Sequence, residues 1–437
     1  MERRDLLKLL AVTGAGATAG GAIFASNRAA NAAAYRIVVV GGGMAGTTAA
    51  KYLRLWGGAL VDVTLITKEA QYTSNIMSNM VLTGERTLSE LKYGYSALST
   101  KYGVKILTDE VLSVDPTART VNTGINGSLP YDRLVMAAGL EFDPTSFGPD
   151  FVSDWNPHAW QAGAQTQLLH DHLAAVPDGG TVLITIPAAP YRCPPGPYER
   201  ACVLADLLVR TGRPNAKVVV LDANAAIQAE APRFSEAFAG GSGYHVDYRP
   251  NSTNVRIVST ESGGGTVTYF NGTESITIQA DVVNAIPQQK APTLLSATGL
   301  TDSSRFAPID PRSFESTLVP AIHVIGDSCK TAKPGYGNVP KAGHIANQEA
   351  KTCADAIIRL LSSPAKALET NLVINSACYT PLTVDTATWL SAVYQYDATA
   401  GTFVAAAGQP KFADAPSKGH FEDMLEWFDT LMADTFA

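Results

Sequence analysis

Tyr35-Arg36-Ile37-Val38-Val39-Val40-Gly41-Gly42-Gly43-Met44-Ala45-Gly46 is the stretch that decides the fold. From Ile37 to Val40 it is a short β-branched run, the signature of a strand buried on both faces. The glycines at 41, 43 and 46 follow at a spacing that has a mechanical reason. The first permits a tight turn, the second lets the backbone approach a pyrophosphate, and the third lets helix and strand pack closely. Thr47 to Trp56 then reads as a helix whose N-terminus would face the diphosphate. Strand, glycine turn and helix predict a dinucleotide-binding unit cradled by Gly41, Gly43, Met44, Ala45 and Gly46.

Working outward, the next strand runs from Val61 to Ile66. An acidic residue about 20 positions past the fingerprint ordinarily holds the adenosine ribose. Thr67 and Lys68 occupy that place here; Glu69 could substitute, or could equally be a solvated loop carboxylate. Two distant segments read as returning to the same cofactor. Tyr131 to Gly139 is a strand ending in the small residues Ala138 and Gly139, and Ala321 to Asp327 is a strand ending in Gly326-Asp327. A terminal Gly-Asp places a carboxylate on a ribityl chain, so the combination points to FAD in this first site.

Between these segments lies a second α/β pattern, opening with Asp178-Gly179-Gly180-Thr181-Val182-Leu183-Ile184-Thr185-Ile186 and continuing with a strand at Lys217–Leu221. Its turn is Pro187-Ala188-Ala189-Pro190-Tyr191-Arg192 where a nicotinamide-binding unit would carry glycines. Proline has no N–H for a phosphate, and Tyr and Arg are too bulky for close backbone approach, so no NAD(P) site is expected. Residues 244–285, with turns at Gly263-Gly264-Gly265 and Asn271-Gly272, read as a β-meander. From Lys366 the texture becomes β-like, as at 390–396, before an amphipathic helix at 421–432. The expected fold is therefore α/β: two Rossmann-like domains, the second inserted in the first, plus a C-terminal α+β domain. The boundaries fall at 35–155 with 285–365 for FAD binding, 156–284 for the second domain, and 366–437 for a flavin-facing, dimerisation-like domain.

The 437 residues, 46% of them hydrophobic, suffice for several buried cores. Residues 1–34 read as an export signal, with the twin-arginine pattern Arg3-Arg4-Asp5-Leu6-Leu7-Lys8 ahead of a weakly apolar Ala/Gly/Leu run. The alternative, a membrane anchor, is disfavoured by Gly14, Gly16, Gly20 and Gly21, and no stable membrane insertion is expected after cleavage. The expected location is the periplasm, an oxidising compartment. Removing 1–34 takes away four cationic and two anionic residues and moves the formal charge from −7 to −9, which disfavours nucleic acid as a partner.

Five cysteines are present, at 193, 202, 329, 353 and 378, with no CxxC and no metal-ligand cluster, so no metal is expected. Cys193 lies in a rigid proline-rich turn feeding a helix, and Cys329 follows Asp327 by two residues. At these positions the sequence resembles the flavoprotein subunit of flavocytochrome c sulfide dehydrogenase. The likeness includes Cys193-Pro194-Pro195-Gly196-Pro197-Tyr198-Glu199-Arg200, 159–163 ahead of Pro177-Asp178-Gly179-Gly180, 284–291, 323–329, Pro340-Lys341 and Ala346-Asn347-Gln348.

The resemblance implies a periplasmic FAD enzyme in which Cys193 and Cys329 form a redox disulfide that sulfide opens by thiolate attack. One sulfur would keep a persulfide, and the other, by position Cys329, would pass an electron pair to the flavin, which returns electrons singly to a c-type cytochrome. Glu199 is the candidate proton acceptor; the plainer reading is a first-turn carboxylate serving the helix dipole. Within the segment matching 72–79 the family commonly ties FAD to a cysteine, and Asn75 stands at that place, so FAD is expected to be non-covalent. Trp427 aligns with a family tryptophan near the flavin; unaided it reads as helix core. Cys202 reads as packed core, and Cys353 and Cys378 could pair structurally.

Two other functions fit the same residues. A sulfide:quinone oxidoreductase would share the chemistry but would want an apolar or amphipathic C-terminal surface, whereas the last helix carries Glu422, Asp423, Glu426, Asp429 and Asp434. A non-catalytic flavoprotein accessory of a sulfur-oxidising complex would fit the missing attachment cysteine, but has no need of both Cys193 and Cys329.

Overall fold

The computed structural model describes residues 34–330 and 339–437; apart from Ala34, the export-signal reading lies outside the described residues. Strand Tyr35–Val40 is the middle of a five-stranded parallel sheet ordered Ile322–Val324, Arg133–Met136, Tyr35–Val40, Val61–Thr67, Lys105–Thr108. Ile37 pairs with Val63 on one side and Arg133 on the other, so the β-branched run has neighbours along both edges and is covered on both faces. Val39 is fully buried there, a burial that contributes ~1.5–3 kcal/mol.

The glycine turn delivers the chain into helix Met44–Gly57, which begins three residues earlier than the apolar pattern suggested. A Cβ on Gly46 would stand 1.9 Å from the Gly41 carbonyl oxygen, and one on Gly41, at φ +108°, would stand 2.3 Å from the Ala137 carbonyl oxygen. Both positions therefore admit only glycine. The buried face of this helix packs on helix Gly343–Leu361.

A second parallel sheet is ordered Val246–Arg249, Lys217–Asp222, Thr181–Ile186, Val282–Ala285. The meander expected over 244–285 is thus shorter than the turns suggested. Only Thr253–Ser259, Gly265–Phe270 and Ser275–Ala280 form an antiparallel sheet, and the flanking strands join the parallel one. The reason is burial: Val282–Ala285 is covered at all four positions, which a one-sided meander strand does not allow.

The C-terminal region is an antiparallel sheet of Val373–Pro381, Ala387–Asp397 and Thr402–Ala405, with Lys411–Phe412 paired to the long strand. Helix Lys418–Phe436 follows, capped by the Ser417 hydroxyl, which accepts from the His420 amide at 3.0 Å. Its end is pinned against the paired strands Gln71–Thr73 and Lys92–Gly94 and against helix Met44–Gly57. Phe436 stacks on Tyr72 and Tyr93 at 5.2 and 5.3 Å, and the Lys51 amine donates to the Asp434 and Ala437 carbonyls at 2.7 and 2.9 Å. Among the described residues no helix is long and apolar enough to cross a membrane.

Candidate functional site

A cavity of about 500 Å³ runs from the glycine turn, past the ends of the first parallel sheet, to the start of helix Gly196–Arg210 and the strand Val373–Pro381. Its size is within the range of cofactor sites. Gly41, Gly43, Met44 and Ala45 line one end, while Gly46 lies behind them under Gly41. Gly43 is the open position of the cradle: a Cβ there would meet nothing nearer than Tyr72 at 3.8 Å, and its φ of −82° is ordinary. Space directly over a helix N-terminus, bounded by backbone, fits the diphosphate of FAD.

At the adenosine end Thr67 and Lys68 both line the cavity, but their polar groups are occupied. The Thr67 hydroxyl donates to the Glu69 carbonyl at 3.0 Å, and the Lys68 amine pairs with Glu110 at 2.8 Å. At the other end Gly326 takes φ +77° and Asp327 faces the cavity, 3.6 Å from Arg192. The Ser328 hydroxyl ties this turn to Gly139 at 2.6 Å, and Ala138 and Gly139 line the same wall. Asn75 is on the wall too, its side-chain oxygen accepting from the Ala162 amide at 2.7 Å. Trp427 closes the C-terminal side, set edge-on to His344 at 6.1 Å.

The cysteines are arranged differently from the pairing that the resemblance implies. All five are free thiols, and the sulfur beside Cys193 is that of Cys378, not that of Cys329. Cys193 and Cys378 both line the cavity, their sulfurs close enough to perturb each other's ionisation. The neighbouring Cys378 thiol pulls the pKa of Cys193 below that of an ordinary thiol, opposed by burial and helped by the Arg192 guanidinium and the Gly196 amide; the same neighbourhood, with burial, raises that of Cys378.

Cys329 is turned inward, 3% exposed, its thiol donating to the Val324 carbonyl at 3.1 Å. The cause is local: the chain leaves the turn Gly326–Ser328 in a bridge with Ala307, which aims the next side chain into the core. Burial pushes that thiol up. Cys202 and Cys353 are fully buried in helices, so Cys353 does not meet Cys378.

The Cys193 corner is held on both sides. Cys193 adopts φ +58°, a left-handed conformation that costs a non-glycine residue ~1–3 kcal/mol. Its amide donates to the Lys341 carbonyl at 2.8 Å, and its carbonyl accepts from the Gly196 amide at 2.9 Å. A Cβ on Gly196 would lie 2.8 Å from the Cys193 sulfur, so glycine here lets the sulfur rest on the helix start. The buried Lys341 amine clips the other segment, donating to the carbonyls of Asp327 and Cys329.

Glu199 reaches the cavity one turn into the helix. Its carboxylate accepts from the Asn79 amide at 2.7 Å, and Asn79 in turn accepts from the buried Arg200 at 2.8 Å. Burial, and then the neighbouring Cys193 sulfur, push Glu199 up to about 8. Among the described residues Arg200 has no carboxylate hydrogen-bond partner; it donates to the carbonyls of His158 and Ala159 and to Asn284, and lies over the Trp160 ring at 4.7 Å.

Sequence reasoning missed Cys378, Asn79 and the roles of Arg192 and Arg200. The signal for the arginines was present, since both flank Cys193 in one motif. For Cys378 there was only a thiol in a β-like run.

The turn of the second sheet is filled by protein. Tyr191 and Tyr198 are buried against the sheet end, and Asp222, at the end of strand Lys217–Asp222, is buried and accepts from Tyr198 at 2.7 Å, Tyr248 at 2.9 Å and Asn224 at 2.7 Å. Among the described residues no cluster of His, Cys, Asp and Glu could hold a metal ion.

Three family models match successive parts of the chain. They are pyridine nucleotide-disulphide oxidoreductase over 35–159, the central part of the sulfide dehydrogenase [flavocytochrome c] flavoprotein chain over 166–287, and the flavin-binding part of flavocytochrome c sulphide dehydrogenase over 371–436. Mitochondrial sulfide:quinone oxidoreductase of Mus musculus is 22% identical over 67% of this chain and 65% of its own length. The chain therefore aligns with just under two thirds of that relative. Among solved structures, the sulfide:quinone oxidoreductase of Aquifex aeolicus superposes with a TM-score of 0.73 at 18% identity, covering 92% of this chain and 91% of that one. The NAD-dependent persulfide reductase of A. fulgidus superposes with a TM-score of 0.59 at 16% identity, over 84% of this chain and 65% of that one. The chain belongs to the two-dinucleotide-binding-domain flavoprotein superfamily, and within it is like the flavoprotein chain of flavocytochrome c sulfide dehydrogenase.

Proposed function

We propose that the chain is a FAD-dependent sulfide oxidoreductase whose exchanging pair is Cys193 and Cys378. One observation carries this reading: the two thiols are neighbours, close enough to perturb each other's ionisation, on the wall of the cavity that holds the glycine cradle at its far end. Residues 41–46, Gly139 and Asp327 would hold FAD, with Asn75 giving it no covalent attachment. When bound, FAD supplies a two-electron acceptor that can release electrons one at a time.

In the oxidised pair, HS⁻ attacks the Cys378 sulfur, the S–S bond breaks, Cys378 carries S–SH, and Cys193 leaves as thiolate. Cys193 is the better leaving group because Arg192 and the Gly196 amide stabilise its charge. Glu199 stands beside it to take the persulfide proton. The appearing thiolate itself raises the affinity of Glu199 for that proton, which couples the two events.

The electron acceptor is a c-type cytochrome on this reading, with the protein exported to the periplasm by its twin-arginine segment. A sulfide:quinone oxidoreductase is the second reading, supported by the likeness to the Aquifex aeolicus structure. The filled turn at Tyr191, Tyr198 and Asp222 supports an enzyme that does not use NAD(P).

Anaerobic sulfide addition to the FAD-loaded protein should bleach the flavin absorbance. Cys193→Ser and Cys378→Ser should prevent bleaching, and Cys329→Ser should leave it. Bleaching in Cys378→Ser would overturn the pairing. Adding a basic c-type cytochrome to one sample of the reduced protein, and decylubiquinone to another, decides the acceptor by which one reoxidises the flavin faster.

A further inference from the structure

Glu230 is a carboxyl that the reaction just described does not use. It is 1% exposed, at φ +49° immediately before helix Ala231–Glu236. Its Oε1 accepts from the Thr380 hydroxyl at 2.8 Å, while Oε2 is buried with no hydrogen bond among the described residues. The Thr388 hydroxyl beside it is likewise buried and unbonded. Thr380 and Thr388 are directly opposite each other in the C-terminal sheet, so the carboxyl lies against a cross-strand pair and is bonded to one member of it. Thr380 follows Cys378 by two residues in the same strand, which puts both side chains on one face. Glu230 thus stands beside Cys378, on the face of the strand that Cys378 shares with Thr380.

Among the described residues no cation is committed to it. Arg233, the nearest basic influence, spends its guanidinium on Glu236 at 2.9 Å. The other groups facing the carboxyl are Cys378 on the strand and Cys202 and Glu199 on the cysteine helix. The Cys378 thiol in turn faces Cys193, Glu230 and Glu199, and Cys193 faces Arg192, Asp327, Glu199, Arg200 and Tyr191, none of which the Glu230 substitution alters.

We propose that Glu230 is a positioning residue for the exchanging pair: its charge, delivered along the Thr380 face of the strand, decides how readily the Cys193–Cys378 bond is reduced. The inference rests on the Cys193/Cys378 reading above. Reduction breaks the S–S bond, takes two electrons, puts a proton on Cys378 and leaves Cys193 as thiolate. With Glu230 protonated, that new negative charge meets a neutral neighbour; with Glu230 ionised, it meets a like charge and reduction becomes harder. Burial pushes Glu230 up to about 7, so the transition lies near neutrality.

The test is equilibration of the full-length FAD-loaded protein with oxidised and reduced dithiothreitol from pH 6 to 8.5. The Cys193/Cys378 ratio is read by alkylation and peptide mass. At pH 6 parent and Glu230→Gln should have the same equilibrium constant for reduction. At pH 8.5 the variant should be reduced about fivefold more readily, as expected for removal of one like charge at mid-range separation. Thr380→Val, which removes a hydrogen bond favouring the carboxylate, should move to higher pH the point at which the protein departs from the Glu230→Gln curve. Coincident curves for parent and both variants would overturn the role of Glu230 while leaving the pair intact. Failure of the parent to form a Cys193–Cys378 bond under oxidising dithiothreitol would overturn the pair itself, and this inference with it.

Discussion

The two parallel sheets feed their first helices through turns of opposite character. In the first sheet the turn is glycine, Gly43 faces empty space, and the helix start is left open to an anion. In the second the turn is proline, tyrosine and arginine, the acidic residue at the next strand end is saturated by two tyrosines and an asparagine, and the helix start supports a sulfur instead. One architecture thus serves twice, once as a nucleotide cradle and once as the mount for a reactive thiol. What differs is the side-chain volume placed at the strand–helix junction.

The sharpest way to break this comparison is at the mounted thiol. Cys193→Ser and Cys378→Ser should each lower the rate of flavin reduction by sulfide at least about 10³-fold, measured by anaerobic stopped flow, because no exchange is possible without both sulfurs. Cys329→Ser should stay within about twofold.

Glu199→Gln comes next, at about 10²-fold. In the parent the rate should rise as pH passes through about 8, where Glu199 loses its proton and becomes able to accept one; the variant's profile should be flat across that range.

At the cradle, Gly43→Ala should weaken FAD binding about tenfold or more, by equilibrium dialysis, while leaving the melting temperature of the FAD-free protein unchanged. A Cβ there blocks only the ligand's approach. Gly41→Ala, pressed on the Ala137 carbonyl, should instead fail to fold.

The smallest effect concerns the filled turn. Tyr198→Phe removes one hydrogen bond to Asp222 and should cost ~1 kcal/mol in urea unfolding, without creating an affinity for NADH.

The first sheet was legible because its signal is local. The β-branched run, the glycine spacing and the terminal Gly326-Asp327 are each complete within a dozen residues, and the structure sets them side by side. The second turn was legible for the converse reason: proline and bulky side chains exclude a phosphate wherever they stand.

The partner of Cys193 was not legible. Cys329 stands beside a cofactor motif in the chain, and that adjacency suggested adjacency in space. The direction of its side chain, however, is set by a backbone bridge to Ala307 that no pattern records. Cys378 sits in a half-buried strand whose alternation says which face it shares with Thr380 but not what lies opposite. The Glu199–Asn79–Arg200 chain was half legible. Two members are adjacent in sequence, and the third arrives from another helix, 120 positions earlier than Glu199.

Cys193 and Cys378 lie 185 positions apart, one in the second sheet's turn and one in the C-terminal sheet. Oxidising them would place a reversible staple across a large loop of the polypeptide, worth about 5 kcal/mol if loop entropy alone counted. Each catalytic cycle would then fasten and release the C-terminal sheet. Amide exchange in residues 373–397 would report the oxidation state of the enzyme, slow when the staple is closed and faster when sulfide has opened it.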